Sequence, residues 1–455
     1  MRILQVAHGY PPDQMAGAEV YTWTVSRELA RRGHDVRVFV PVHRPGHANL
    51  TLIDEELDGV RVTRLNLVPG SPHRLRVTYT NPAVDEIFAR WLRELAPEVM
   101  HVQHTVGLST GVFEVAQAQR VPTLFTLHDF WFHCPRGQRF TPRHHLCEKV
   151  EPWRCALCIG TWRAAWARKW LTHYARGRTA ETRGEGLATR SLRFPLRALR
   201  YVADETFRAP ILERNDYMLA AVLRADRILA PSRFLMDRFV EQGVPAERMH
   251  FSEYGMDDAP FRAVAARKKR DPATRPVRFG FIGTLMPTKG PDLLVRAFQS
   301  LPHGQATLAV HGAGTGDKTA GYVAALQAEN RHPGVTFHGR FDNRRIAEIL
   351  GSFDVLVVPS RWWENAPLTV HESVMARMPV VLSDHGGMRE LAERFGNAVG
   401  FRPDDPVDLA RALRRFLDEP GIWDELAPRR EVRSVRDDVD GLLAHYADIV
   451  TAQRG

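Results

Sequence analysis

The sequence predicts an α/β protein of two doubly wound domains, each a largely parallel sheet with helices on both faces. Three observations predict it. Short runs rich in Val, Ile, Leu and Phe alternate with longer amphipathic stretches, the pattern of buried parallel strands joined by crossover helices. The alternation stops near residue 130, passes through a stretch rich in Arg, Trp and Cys, and restarts after 215. With 455 residues, 44% of them apolar, the chain has material for two cores.

The elements follow in order. "RILQVA" (2–7) is the first strand, and "AEVYTWTVSRELARRG" (18–33) a helix ending at a glycine. "DVRVFVP" (35–41), "VRVTRLN" (60–66), "VMHVQH" (99–104), "PTLFTLH" (122–128) and "DRILAPS" (226–232) are further strands. Residues 130–215 read as an inserted, mostly helical segment. "RKKRDPATRP" (267–276), charged and without periodicity, is a candidate hinge. Five strands then form the second unit, at 277–283, 306–312, 335–339, 354–360 and 379–384. The expected division is an N-terminal domain over 1–255, a C-terminal domain over 256–435 and a last helix over 436–455 that crosses back. In such sheets ligands bind outside the carboxyl ends of the strands, so the loops after strands are where a site is sought.

Charge is unevenly spread. The net charge is +9, and Thr161–Arg200 alone holds ten basic residues and two acidic ones. Within it Trp162, Trp166 and Trp170 share a helical face, with Arg163, Arg168 and Lys169 off that stripe. This suits an interfacial contact with an anionic membrane, or equally a Trp stripe packed on the first domain. No nucleic-acid motif accompanies the charge, so no nucleic acid is expected. The N-terminus enters a strand directly and no run reaches the ~18 apolar residues of a membrane span, so a cytoplasmic protein is expected.

The buried run "FDVLVVP" (353–359) opens into "SRWWENAPLTVHES" (360–373). Pro359 ends the strand, and Asn365 with Pro367 can start a helix near Leu368. Glu364 then lies in a strand-to-helix loop and Glu372 in the first helical turns. Loop amides and the helix N-terminus can hold an anion such as a diphosphate. A carboxylate beside them can accept two hydrogen bonds from a vicinal diol. Solvated loop charges are the plain alternative.

"PSRWWENAPLTVHESVMARMPVVLSDHGGMREL" (359–391) resembles the donor-site signature of glycosyltransferase family 4, the large retaining family with the GT-B fold. That signature is carried here by Pro359-Ser360, Glu364, Glu372 eight positions on, Pro379-Val380-Val381 and Gly386-Gly387. The resemblance implies that Glu364 faces the transferred sugar and that Glu372 binds the nucleotide ribose. Asn365, Ala366, Pro367 and Leu368 would present loop and helix amides to the donor. "GFIGTLMPTKGPDLLVRAF" (280–298) resembles the segment that neutralises the leaving diphosphate. Gly283, Lys289 and Gly290 match, and the usual arginine is Thr284, so Arg340 or Arg361 would have to compensate. Lys289 is one of six lysines among 62 basic residues. Gly312 in "VHGAGTG" (310–316) and the segment "FHGRFDN" (337–343) would line the nucleotide side. In "GYPPDQMAGAEVYT" (9–22) the family's Gly-Gly pair is Ala16-Gly17, so Gly17 alone matches. Glu19 begins the helix, either as a favourable helix-terminal charge or as a ligand contact. His128, at a strand end, matches the histidine that faces the sugar across the cleft. Asp129 would orient it or cap the next segment.

The resemblance implies a hexosyl transfer from a GDP- or UDP-sugar to a saccharide or lipid-linked acceptor, in bacterial surface-polysaccharide or glycoconjugate synthesis. It implies retention without an enzyme nucleophile, the leaving phosphate taking the acceptor's proton. No metal is expected at the diphosphate, since no Asp-x-Asp stands where a metal-dependent transferase would need one. The runners-up are an inverting GT-B transferase with His128 or Asp129 as base, and a non-catalytic nucleotide-sugar-binding protein.

All four cysteines, Cys134, Cys147, Cys155 and Cys158, fall within 25 residues, spaced C-x12-C-x7-C-x2-C. This suits a tetrahedral structural zinc site. Reduced thiols or two disulfides are the alternatives.

Overall fold

The computed structural model describes residues 1–68, 75–159, 205–266, 271, 273–314 and 317–454. Two sheets organise the chain. The first contains β1 (Arg2–Val6), β2 (Asp35–Val42), β3 (Leu52–Leu57), β4 (Val60–Asn66), β5 (Val99–Val102), β6 (Thr123–Thr126), β7 (Arg227–Ala230) and β8 (Met249–Phe251). Their spatial order is β3-β4-β2-β1-β5-β6-β7-β8. Every pairing is parallel except β3 with β4. The second contains β9 (Val277–Ile282), β10 (Ala306–His311), β11 (Val335–Gly339), β12 (Val355–Val358), β13 (Val380–Ser383) and β14 (Ala398–Phe401), in the order β11-β10-β9-β12-β13-β14. All its pairings are parallel.

The central strands are buried on both faces, which is why they read as unbroken apolar runs. All four residues of β5, β6, β12 and β13 are buried. Three strands escaped the sequence reading for a common reason. β3, "LIDEEL", is a charged edge strand, and its exposed or half-exposed side chains give no apolar signal. β8 and β14 have three and four residues, too short to show a period.

In each sheet the chain reverses its direction of travel beside the first strand. β1 lies between β2 and β5, and β9 lies between β10 and β12. The loops after β1 and β5, and those after β9 and β12, therefore flank the two crevices where ligands bind in such sheets. The long helix Val435–Arg454 packs against the first domain. Tyr446 Oη lies 2.7 Å from His101 Nδ1 on β5, and Val439, Leu442, Tyr446, Ile449 and Val450 join one apolar cluster with Ile3, Val25 and Leu124.

The expected helical insert is helical over 152–159 and from 205 onward, but its first part is not. Residues 130–151 are turns with a single bridge, Phe140 to Leu146, and helix begins only at 152. Buried Arg139 explains this, since its guanidinium bonds the carbonyls of Cys147 and Glu148 and ties the loop to itself. The tryptophan stripe of 161–200 and hinge positions 267–270 and 272 lie outside the described residues. Among the described residues no helix is long and apolar enough to cross a membrane.

Candidate active site

The second crevice is built where β9 and β12 lie side by side. β9 runs into a single 3-10 turn, Pro287–Lys289, and Gly290 then takes a left-handed φ of 67°. A Cβ at Gly290 would meet Pro359 O at 2.0 Å, so only glycine lets this turn press against the end of β12. That contact delivers Lys289 to the loop after β12. Lys289 Nζ lies 2.6 Å from Glu364 Oε1. The same oxygen accepts hydrogen bonds from Ser360 Oγ and Trp362 Nε1, each at 2.8 Å. Glu364 is buried, yet three donors converge on one of its oxygens.

Glu372 is the opposite case. It is buried on the helix Leu368–Met375 and has no hydrogen-bond or ion-pair partner among the described residues. Burial pushes its carboxyl up to about 7. The helix has no side-chain cap at Pro367, so its first amides have no side-chain acceptor. An unpartnered carboxylate and uncapped amides on one short helix suit a ligand that brings hydroxyls and an anion together.

The Gly386-Gly387 pair serves the loop. Gly387 N donates to Glu364 O at 2.8 Å, and a Cβ at Gly387 would meet Asn365 O at 1.6 Å. Gly312 likewise answers to packing, since a Cβ there would meet Gly283 O at 1.8 Å across neighbouring strand ends. Thr284 is half-buried and Arg340 exposed. Arg361, considered as a stand-in for the missing arginine, is committed elsewhere. Its guanidinium bonds both oxygens of Asp292, at 2.6 and 2.8 Å, and Asp404 at 2.6 Å. Asp292 stays near 2 because the bonds from Arg361 and Tyr322 outweigh the burial that would raise it.

The first domain supplies the facing wall. Asn365 Nδ2 donates to His128 O at 2.9 Å, Trp363 packs near Phe130 and Phe234, and Gly17 approaches Leu368. His128 offers no unengaged ring nitrogen. Nδ1 lies 2.6 Å from Tyr254 Oη and Nε2 lies 2.8 Å from Gln103 Oε1. Burial holds the ring well below its ordinary pKa, so it is neutral. Asp129 does not orient it. Asp129 Oδ1 accepts from Trp131 N at 2.8 Å and pairs with His104 Nε2 at 3.2 Å, which caps the next segment.

The sequence reading missed His8 and His104, which stand beyond the ends of β1 and β5. Their rings lie 4.4 Å apart, and His8 Nε2 pairs with Glu19 Oε1 at 3.1 Å. Despite burial, the His8 bond and charge lower the Glu19 carboxyl. Glu19, His8, His104 and Asp129 thus form one polar chain along the cleft wall. Position at a strand end, which supported the resemblance at His128, was equally available for both histidines.

All four cysteines are reduced thiols, Cys134 and Cys155 buried and the other two half-buried. Burial pushes Cys155 up to about 12. No three His, Cys, Asp or Glu side chains among the described residues already stand where they could hold a metal ion.

Known proteins share this architecture. The family model "Glycosyl transferases group 1" matches residues 265–432, and "Glycosyltransferase Family 4" matches 15–177. A protein of Mycobacterium tuberculosis (strain CDC 1551 / Oshkosh), named GDP-mannose-dependent alpha-mannosyltransferase, is 26% identical over 98% of this chain and 96% of its own length. A D-inositol 3-phosphate glycosyltransferase of Xylanimonas cellulosilytica is 29% identical over 50% of this chain and 57% of its own. Among solved structures, Anabaena Alr3699/HepE in complex with UDP and glucose superposes with a TM-score of 0.62 at 14% identity, over 98% of this chain and 99% of that one. Sucrose-phosphate synthase from Thermosynechococcus elongatus gives 0.59 at 17% identity, over 99% and 97%. Fold and relatives together define a glycosyltransferase of GT-B architecture that uses nucleotide sugars. The chain belongs to glycosyltransferase family 4, the group 1 glycosyl transferases.

Proposed function

We propose that this enzyme transfers a hexose-type sugar, with retention of anomeric configuration, from a nucleoside diphosphate sugar to a saccharide or lipid-linked acceptor in bacterial surface-polysaccharide or glycoconjugate synthesis. One observation carries the reading: Glu364 gripped by Lys289, with the unpartnered Glu372 eight residues on at an uncapped helix start. In this reading Glu372 accepts hydrogen bonds from the ribose diol. Lys289 and the backbone N–H groups of Ala366, Leu368 and the rest of the helix start hold the diphosphate, Pro367 lining the loop without an N–H. Glu364 meets the sugar hydroxyls with the oxygen that its three donors leave available.

GDP-mannose is the favoured donor, because the relative aligned along 96% of its own length carries that name. UDP-sugars come second, since the UDP-bound neighbours at 14% identity carry the fold alone. As the sugar–phosphate bond breaks, the acceptor oxygen bonds C1 and its proton passes to the departing phosphate oxygen. Lys289 stabilises the charge that grows on that phosphate. Inversion would need a base on the far face. His128 has both nitrogens engaged and Asp129 is held by His104 and Trp131, which favours retention.

The lipid-linked form of the acceptor, and a peripheral place on the inner membrane face, rest on the composition of Thr161–Arg200. Calorimetric titration with GDP, UDP and a panel of their sugars tests the donor, with GDP expected to bind more tightly. Nuclear magnetic resonance of the glycoside tests the stereochemistry. An inverted product would refute retention, and absence of nucleotide binding would refute the whole reading.

A further inference from the structure

The loop after β12 is divided between the two domains residue by residue. Trp362 and Glu364 stay with their own domain, Trp362 Nε1 donating to Glu364 Oε1 at 2.8 Å beside Lys289 Nζ at 2.6 Å. Trp363 and Asn365, which alternate with them, cross to the first domain. Trp363 is buried and joins the first domain's apolar core, in one cluster with Phe125, Phe130 and Phe132. Its ring lies 6.2 Å from that of Phe130 and 5.4 Å from that of Phe234, edge-on to the latter, and the Arg139 guanidinium sits 5.1 Å over it. Asn365 Nδ2 donates to His128 O at 2.9 Å, and Ala366 joins the cluster of Tyr10, Tyr21 and Tyr254. A second tie runs beside the first. The helix Gly386–Phe395 begins at the glycine pair whose Gly387 N donates to Glu364 O at 2.8 Å. One turn on, that helix carries Glu390. Its two carboxylate oxygens accept from Arg233 N and Phe234 N, each at 3.2 Å, at the start of the first-domain helix Arg233–Val240. A helix start leaves such amides without an internal partner, and its dipole favours a negative charge there. Phe234 thus receives both ties, its amide on Glu390 and its ring on Trp363.

We propose that Trp363 is the positioning residue for Glu364, an inference that rests on the reading of Glu364 as the carboxylate facing the transferred sugar. Seated among Phe130, Phe234 and Arg139, with Glu390 on the helix start beside it, Trp363 fixes the loop against the first domain. Glu364 then takes its working place only when the two domains are docked. An aromatic side chain buried in a pocket of another unit is the kind of anchor that dominates such contacts. Nucleotide binding does not need the anchor, because Lys289, Glu372 and the uncapped helix start all belong to the second domain. Sugar transfer needs it, because Glu364 is flanked on both sides by residues whose partners lie in the other domain.

The full chain is tested with GDP-mannose, reading GDP release and, by calorimetry, GDP affinity. Trp363→Ala should slow GDP release at saturating donor by roughly 100-fold, the cost of displacing a reacting group by about 1 Å, while GDP affinity stays within about threefold. Trp363→Phe should restore most of the rate, because it refills the pocket. In the Glu364→Gln background the same Trp363→Ala change should cost less than about twofold, since a residue that acts through Glu364 then has nothing to position. Phe234→Leu, made in the other domain, should slow GDP release in the same way, and it carries the test if Trp363→Ala does not fold. Small-angle scattering of the ligand-free Trp363→Ala/Glu390→Gln variant should give a larger radius of gyration than wild type. Unchanged GDP release in Trp363→Ala, or an equal fold-loss with and without Glu364, would overturn the positioning role. A wild-type radius of gyration in the double variant would overturn the docking. An unimpaired Glu364→Gln would refute the role of Glu364 itself, whereas an impaired Glu364→Gln beside an unimpaired Trp363→Ala would refute only the positioning by Trp363.

Discussion

Lys289 Nζ stands 2.6 Å from Glu364 Oε1 although the two residues lie 75 positions apart in the chain. Ser360 and Trp362 donate to the same oxygen, so Glu364 is held in one orientation. An ammonium has three donors, and the carboxylate uses one. The others can turn to a diphosphate without releasing Glu364.

Lys289→Met should therefore lower turnover far more than donor affinity, because its charge matters most as the sugar–phosphate bond breaks. A loss of ~100-fold in kcat is expected by analogy with removal of one stabiliser of developing charge. Steady-state kinetics at saturating donor check this. Unchanged kcat would remove Lys289 from the chemistry.

Glu372 and Glu364 should separate cleanly. Glu372→Ala is expected to weaken binding of the bare nucleoside diphosphate about tenfold or more, the size of one charged hydrogen-bonding contact. Glu364→Ala should leave that binding nearly intact and abolish transfer. Calorimetry on both variants distinguishes them, and equal nucleotide affinity in wild type and Glu372→Ala would sink the ribose assignment.

The same carboxylate has a cost in the ligand-free protein. Its folded pKa is raised from 4.5 to about 7, so the folded state holds a proton that the unfolded state has released between those values. Stability then falls as pH rises through that window, by up to about 3 kcal/mol. Glu372→Gln should raise Tm at pH 8 and change it little at pH 4. A Tm difference that is the same at both pH values would count against a buried, unpartnered Glu372.

Neutral, doubly bonded His128 predicts a particular pH profile. Since burial holds its pKa well below 6.5, no limb of log kcat between pH 6 and 8 should disappear in His128→Asn, though turnover should drop. Loss of a limb in that variant would show that His128 titrates in the cycle.

Arg361 should behave as structure. Arg361→Ala takes one cation from Asp292, which keeps Arg296 at 2.6 Å, and the cation from exposed Asp404, and breaking a largely buried pair costs up to about 3 kcal/mol. Thermal unfolding should show the loss, while GDP affinity measured below the new Tm stays within about threefold. A large drop in affinity with unchanged Tm would make Arg361 the substitute for the cation absent at Thr284.

The sequence by itself determined that two doubly wound units exist, because strands buried on both faces must be unbroken apolar runs and their crossovers amphipathic. It also placed Glu364 and Glu372 together, because they belong to one strand-loop-helix segment whose spacing is local. What each residue touches was decided only by tertiary structure. β9 and β12 are neighbours by topology, so Lys289 meets Glu364 while Arg361, three positions earlier on the same loop, is captured by Asp292. His128 was singled out by the family resemblance together with its strand-end position, yet Tyr254 and Gln103, which occupy its ring, lie 126 and 25 residues away. Gly312 reads as a ligand-lining glycine and Gly290 and Gly387 as matches to family motifs, and each proves to be a point where two backbones from distant segments meet closer than a Cβ allows. Periodicity reports burial and local geometry. Which donor reaches which acceptor depends on strand order, and strand order is a property of the folded sheet rather than of any window of the chain.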